Sequence, residues 1–156
     1  MNKIPAFLMI LMFFQTLQSQ TRYSNIMISN EYEPSEVTIA INPVDLNNIV
    51  VASNIDNYYY TFDGGRNWST RKAVSKYGVW GDPCVVTDSR GFFYYFHLSN
   101  PNQEGGSWLD RMVCQKSTDG GISWSEGTFT GVNPPHLQDK EWAAIDVTYS
   151  PFHNNI

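Results

Sequence analysis

Three acidic residues stand where short apolar or β-branched runs begin. Glu36 opens residues 36–42 (EVTIAIN), Asp82 opens 82–88 (DPCVVTD) and Glu141 opens 141–146 (EWAAID). If these openings meet in space, three carboxyl groups meet with them. Carboxylates held close raise one another's pKa, which suits one of them to general-acid and another to general-base work on a glycosidic bond. Asp82 and Glu141 are the candidates for that role. Trp80, Trp108 and Trp142 lie near the same openings and offer flat apolar faces on which sugar rings stack. Arg111 and Asp139 add a cation and a further acceptor as candidate substrate contacts. A second reading stays open: the same groups cap strand ends and bind water in a solvated channel.

Other chemistries find little footing. His97, His136 and His153 are scattered without zinc-ligand spacing. No Gly-x-Ser-x-Gly elbow, phosphate-binding glycine loop or Asp-rich calcium loop occurs. No metal and no cofactor is therefore expected. His97, inside an aromatic strand pattern, reads as a strand residue and not as a ligand.

The elements that must position these groups are strands. After 36–42, a Pro/Asn turn leads to 48–53 (NIVVAS), a polar loop to 58–62, an Asp-Gly-Gly hairpin to 68–74. The pattern restarts: 82–88, a Ser-Arg-Gly turn, 92–98, a longer loop over 99–110, 112–116, a second Asp-Gly-Gly hairpin and 124–130. A third unit opens at 141–146, turns through 150–154 and begins a next strand at 155–156. Residues 25–30 (NIMISN) read as a lone strand ahead of the first unit. No segment carries a helical period. The expected fold class is all-β, in four-stranded antiparallel units.

The two hairpins repeat one pattern. Thr61-Phe62-Asp63-Gly64-Gly65-Arg66-Asn67-Trp68 and Ser117-Thr118-Asp119-Gly120-Gly121-Ile122-Ser123-Trp124 both fit Ser/Thr-x-Asp-x-Gly-x-x-Trp, with their aspartates 56 residues apart at positions 63 and 119. A strand-built repeat of this length points to an array of small sheets. The motif's chemistry is structural: Thr61 and Ser117 open the turn, Asp63 and Asp119 accept backbone N–H groups, Gly65 and Gly121 permit the turn, and Trp68 and Trp124 fill space beside it. In an up-and-down unit, turns alternate between two ends. With these hairpins at the lower end, the strand openings gather at the upper one, bringing Glu33, Pro34, Glu36, Trp80, Asp82, Asp139, Glu141 and Trp142 together there, with the 99–110 loop overhanging them.

Charge and the N-terminus bound the setting. With 42% hydrophobic and only 16% charged residues, the chain has the composition of a folded protein and not of a disordered one. A net charge of −5 without a Lys/Arg cluster argues against nucleic acid as partner. Residues 1–20 combine Lys3, an apolar stretch over 4–14 and a polar end with Ser19, and read as a secretory signal peptide. That stretch is shorter than the roughly 20 residues a bilayer span needs. Residues 21–156 are thus expected to form one exported domain (secreted, periplasmic or at the cell surface) without membrane insertion. Cys84 and Cys114 fall on the first and third strands of one unit. Two strand spacings of about 4.8 Å exceed the usual disulfide reach of roughly 4.4–6.8 Å. Free thiols are expected.

The Ser/Thr-x-Asp-x-Gly-x-x-Trp pair resembles the Asp-box, or BNR repeat, of sialidase-like β-propellers, and the resemblance extends over both full units. It implies a propeller of four-stranded blades, about two and a half of them within this sequence and six in a complete ring. The chain is thus expected to be the N-terminal part of a longer protein. It also implies a glycan or glycoconjugate partner bound at the mouth opposite the Asp-boxes, with exo-sialidase-like hydrolysis as the enzymatic form. Sialidases of this kind hold the substrate carboxylate with three arginines and use an Asp acid/base with a Glu-activated Tyr nucleophile. The Arg-Ile-Pro that commonly carries the first arginine is missing here. Arg66 and Arg90 fall at the lower end and Arg22 near the processing site, leaving Arg111 and Arg71. The rival implication is a non-catalytic binding module for adhesion, receptor or scaffold work.

Overall fold

The computed structural model describes residues 24–100 and 108–156. The signal-peptide reading of residues 1–20 and the middle of the 99–110 loop lie outside them. Eight strands follow in order: β1 (Thr38–Ile41), β2 (Ile49–Ser53), β3 (Asn57–Thr61), β4 (Ser69–Lys72), β5 (Trp80–Thr87), β6 (Phe93–Leu98), β7 (Met112–Ser117) and β8 (Thr128–Thr130). They form two four-stranded antiparallel sheets, β1-β2-β3-β4 and β5-β6-β7-β8, with every strand beside its sequence neighbours. The described residues contain no helix, and the fold is all-β.

Alternation decides which side chains face inward. In the first sheet Val50, Ala52, Tyr58 and Tyr60 turn one way; in the second, Val85, Phe93 and Tyr95 turn to meet them, and Ala73 joins the cluster. The core therefore lies between the sheets. Each fully buried apolar or aromatic side chain there contributes about 1.5–3 kcal/mol. The first strands of the two sheets lie side by side: Val85 N–H donates to Thr38 Oγ1 at 3.2 Å, and Thr87 Oγ1 to the Ile41 carbonyl at 3.3 Å. Gln115, buried on β7, sends its Nε2 to the Val74 and Ser125 carbonyls at 2.9 and 2.7 Å.

The repeated hairpins close β3–β4 and β7–β8. In the first, Asp63 Oδ1 accepts Thr61 Oγ1 at 2.7 Å and the N–H groups of Arg66 and Asn67 at 2.8 and 3.0 Å. In the second, Asp119 Oδ1 accepts Ser117 Oγ at 2.8 Å and Ser123 N–H at 3.0 Å. Both carboxyls are held below their usual range by these donors, the Asn67 N–H foremost for Asp63; at Asp119 the Ser123 and Ser117 bonds outweigh the opposing desolvation.

The second hairpin also grips the first sheet. Asn48 Nδ2 donates to the Gly120 carbonyl at 3.0 Å. Gly121, at φ +92°, lies so close to β2 that a Cβ there would stand 2.6 Å from Val50 Cγ2. Trp124 inserts between the sheets, its ring 5.8 Å from Tyr58 at 89° and 5.5 Å from Tyr95.

Three strand expectations shift. Residues 25–30 form no strand. Residues 141–146 form none either, because no neighbouring strand lies beside them among the described residues. Their turn is built as expected: Asp146 N–H donates to the Asn155 carbonyl at 2.9 Å, and the Asp146 carbonyl accepts Asn154 N–H at 2.6 Å. The last strand of the second sheet spans only Thr128–Thr130: before it, the Ser125 hydroxyl accepts Lys116 N–H at 2.9 Å and Gly127 adopts φ 88°, which interrupts the ladder between the hairpin and the strand. Cys84 and Cys114 both pair with Phe96 of the intervening β6, from opposite sides, and both are free thiols.

Removing the inter-sheet wedge should be costly. Trp124→Ala is expected to lower unfolding free energy by about 3 kcal/mol, and Gly121→Ala to destabilise in the same direction by steric conflict with Val50. Urea midpoints of the two variants against the parent protein provide the check.

Candidate functional site

The lower ends of the inner strands carry a shared turn, which sets the register of the openings at the other end. Asn42, Asp88 and Asp146 each use Oδ1 to accept the N–H two residues on: Val44 at 2.9 Å, Arg90 at 3.0 Å and Thr148 at 2.8 Å. These three residues are equivalent points in the three units. The positions six before them are 36, 82 and 140, occupied by Glu36, Asp82 and Lys140. Those are the residues that converge. The Glu36 carboxyl meets that of Asp82 at hydrogen-bonding range. Lys140 Nζ stands 3.9 Å from Glu36 Oε2 and 3.9 Å from Asp82 Oδ2.

Backbone geometry fixes this arrangement. Glu36 and Asp82 both adopt left-handed conformations, at φ 49° and 54°. In β5 the ladder to β6 slips between Trp80 and Cys84. Pro83 has no N–H to give the ladder, and such residues sit at bulges or edges; the irregularity turns Asp82 out of the sheet. Asn54, in the loop before β3, holds it there: Asn54 Oδ1 accepts Asp82 N–H at 2.5 Å. A Cβ on Gly81 would fall 2.0 Å from that same Oδ1, so only glycine lets the two units approach this closely.

Electrostatics follow from contact. The Asp82 hydrogen bond, with some desolvation, raises Glu36 above the usual carboxylate range; Asn54 and Lys140 oppose the rise. The two carboxyls and the one ammonium thus form a single charged cluster. Next to them runs a cleft of about 570 Å³, lined by Glu36, Ile39, Pro83, Val86, Lys140 and Trp142 among others.

The remaining candidates are distributed as follows. Trp142 is 85% exposed and borders this cleft. Trp80 and Trp108 pack edge to face at 5.6 Å, as a separate pair. Asp139 is exposed. Arg111 gives its guanidinium to Asp110, with Nε to Oδ1 at 2.7 Å and Nη2 to Oδ2 at 2.6 Å, and stacks over Phe129. That guanidinium is already engaged by a carboxylate. The repeated-motif residues Thr61, Asp63, Gly65, Trp68, Ser117, Asp119, Gly121 and Trp124 all lie in the two hairpins described above.

Glu141 is one position past the convergence point, and alternation turns it the other way. It is 2% exposed, and neither carboxyl oxygen has a hydrogen-bond partner among the described residues. Burial pushes its acid up to about 8, with the Asp82 charge adding to the rise. The partner of Asp82 is thus Glu36, and Lys140 completes the group. Aligning the third unit on its glutamate hides this; counting back from Asp146 finds it. Asn54 carries no sequence signal beyond its polar loop, because its role depends on a contact between units.

Elsewhere, His97 is buried, its Nδ1 donates to the Leu98 carbonyl at 2.8 Å, and burial lowers it to about 4, so it stays neutral. Among the described residues no group of three or more His, Cys, Asp or Glu is arranged to hold a metal ion.

No protein-family model, no curated protein and no solved structure matches this chain.

The buried Glu141 dictates a pH dependence. The folded state keeps a proton that the unfolded chain releases above pH about 4.5. Stability is therefore expected to fall as pH rises from there to about 8, and to level off beyond. Glu141→Gln is expected to flatten that decline, measured as urea midpoints across a pH series.

Proposed function

We propose that this chain is part of an exported sialidase-like Asp-box β-propeller that binds or hydrolyses glycans at the end where Glu36, Asp82 and Lys140 converge. The observation that carries the reading is that convergence. Three equivalent positions of three successive units bring an acid pair and an ammonium to one point, at the opposite end from the Asp-box hairpins. The propeller reading is supported by two consecutive four-stranded sheets of one topology, each closed by an Asp-box, with the second box gripping the preceding sheet. A constant grip of this kind, repeated, turns sheets about a common axis; on the resemblance, six blades would close the ring.

The carboxyl spacing narrows the chemistry. Retaining glycosidases hold their two carboxyls about 5–5.5 Å apart and inverting ones about 6.5–9.5 Å. Glu36 and Asp82 are in contact, so they do not divide into donor and nucleophile across a substrate. They act on the same side of the substrate, Glu36 as the proton donor and Asp82 as the group that positions it. The group that attacks the anomeric carbon must come from elsewhere at the mouth. Trp142, on the rim of the cleft, supplies a sugar-stacking face.

The second reading, a non-catalytic binding module, is favoured by Arg111. Its bidentate bond to Asp110 leaves it poorly placed to grip a substrate carboxylate.

Incubation of the exported protein with sialosides and other aryl glycosides separates the two. Hydrolysis is expected. Asp82→Asn should then lower kcat/KM by about 10²–10⁴-fold, the usual worth of a general acid. Lys140→Met should move the alkaline limb of the pH–rate profile to higher pH, because Lys140 holds Glu36 down. Absence of turnover on every substrate, alongside measurable glycan or protein binding, would replace the hydrolase with the binding module.

A further inference from the structure

The chain enters each sheet along a short segment that ends at one of the paired acids: residues 31–36 lead to Glu36, and residues 75–82 to Asp82. Both segments are fastened in the same way. An asparagine just past the second strand of the sheet gives its N–H to the segment: Asn54 to the Ser35 carbonyl at 3.0 Å, Asn100 to the Tyr77 carbonyl at 3.1 Å. A tyrosine of the segment lies under a cation: Tyr32 under Lys72 Nζ at 4.3 Å, Tyr77 under Lys76 Nζ at 5.1 Å. The two fastenings differ in strength. Tyr77 is also stacked with Phe129 at 5.2 Å and with the Arg111 guanidinium at 5.5 Å. Next to it, a Cβ on Gly78 would fall 1.9 Å from the Asn100 carbonyl oxygen, so this segment lies flush on its loop. Tyr32 is 65% exposed, and its one ring contact among the described residues is with Lys72, itself paired with Asp56 at 2.6 Å.

We propose that Tyr32, seated on Lys72, is a positioning residue for Glu36, and that Glu36 is the adjustable member of the acid pair while Asp82 is the fixed one. Tyr32, Glu33 and Glu36 adopt left-handed conformations, at φ 62°, 49° and 49°. Residues other than glycine hold such conformations only where their surroundings impose them. Ahead of Glu36 two contacts do so, the Asn54 N–H and the Lys72 ammonium. Release of Tyr32 removes one of them and lets Glu36 draw back from Asp82. The second segment, locked by its packing, keeps Asp82 in place. The part this gives Tyr32 in a reaction rests on the glycan reading; the placement of Glu36 does not.

Amide exchange and carboxyl-carbon titration of the full-length protein test this without a substrate. Tyr32→Ala is expected to speed exchange of the Asn54 amide about two- to fivefold, the worth of one exposed cation–π contact, and to leave the Asn100 amide as it was. Glu36, which the Asp82 contact holds above the usual carboxylate range, should then titrate lower, because that contact relaxes while Lys140 remains. Tyr32→Phe keeps the ring and should reproduce the parent protein in both measurements. Lys72→Met should behave as Tyr32→Ala does. An Asn54 amide and a Glu36 titration that Tyr32→Ala leaves unmoved overturn the proposal. Faster exchange at Asn54 and Asn100 alike also overturns it, by marking Tyr32 as a general support of the fold. Absence of hydrolysis counts against the glycan reading alone, because neither readout requires turnover.

Discussion

The grip of the Asp119 hairpin on the neighbouring sheet is the contact from which the remaining geometry follows. Four constraints act at one place. The Asp119 carboxylate shapes the turn from within. Asn48 reaches across to the Gly120 carbonyl. Gly121 lies against Val50 with no room for a side chain. Trp124 fills the wedge between Tyr58 and Tyr95. Polar groups fix direction and the indole supplies buried area, so the second sheet can take only one position against the first. Because β5 then runs beside β1, the openings of the two inner strands necessarily come together at the far end.

That necessity explains why the acid pair forms where it does. Carboxyls placed in contact repel when both are charged. The arrangement persists because Lys140 and Asn54 share the load. Neither of these alone would hold Glu36 and Asp82 in left-handed backbone conformations. The neighbouring Glu141 shows the opposite solution to the same problem. One step along an extended chain reverses the side chain, and the carboxyl that would have joined the pair is instead buried against aromatic rings as a neutral acid. Adjacent residues in one segment thus supply a water-facing cation and a protein-facing acid.

What could be read beforehand was whatever depends on residues near in sequence. The hairpins announce themselves through Asp, Gly and Trp within eight residues, and strand order follows from turn chemistry between β-rich runs. The opposition of Cys84 and Cys114 across β6 was legible for the same reason. Features set by contacts between units were not. Residues 25–30 have the pattern of a strand but no partner beside them. Arg111 is chemically able to hold a substrate carboxylate, yet Asp110, its chain neighbour, takes up its guanidinium. The third unit was misaligned by one position because a glutamate looked like the natural counterpart of Glu36, whereas the turn residue Asp146 sets the register. Asn54, central to the site, is indistinguishable in sequence from an ordinary loop asparagine.

The Asn54–Asp82 hydrogen bond reaches from a loop of one repeat to the backbone of the next, through a gap that only Gly81 leaves open. Repeats that look interchangeable are consequently not modular at this end. Grafting a foreign repeat in place of either one would carry in half of a lock without its key. Divergence at the mouth should proceed by paired changes in successive repeats, and so should divergence at the hairpin end, where Gly120 and Gly121 are fitted to Asn48 and Val50 of the preceding repeat.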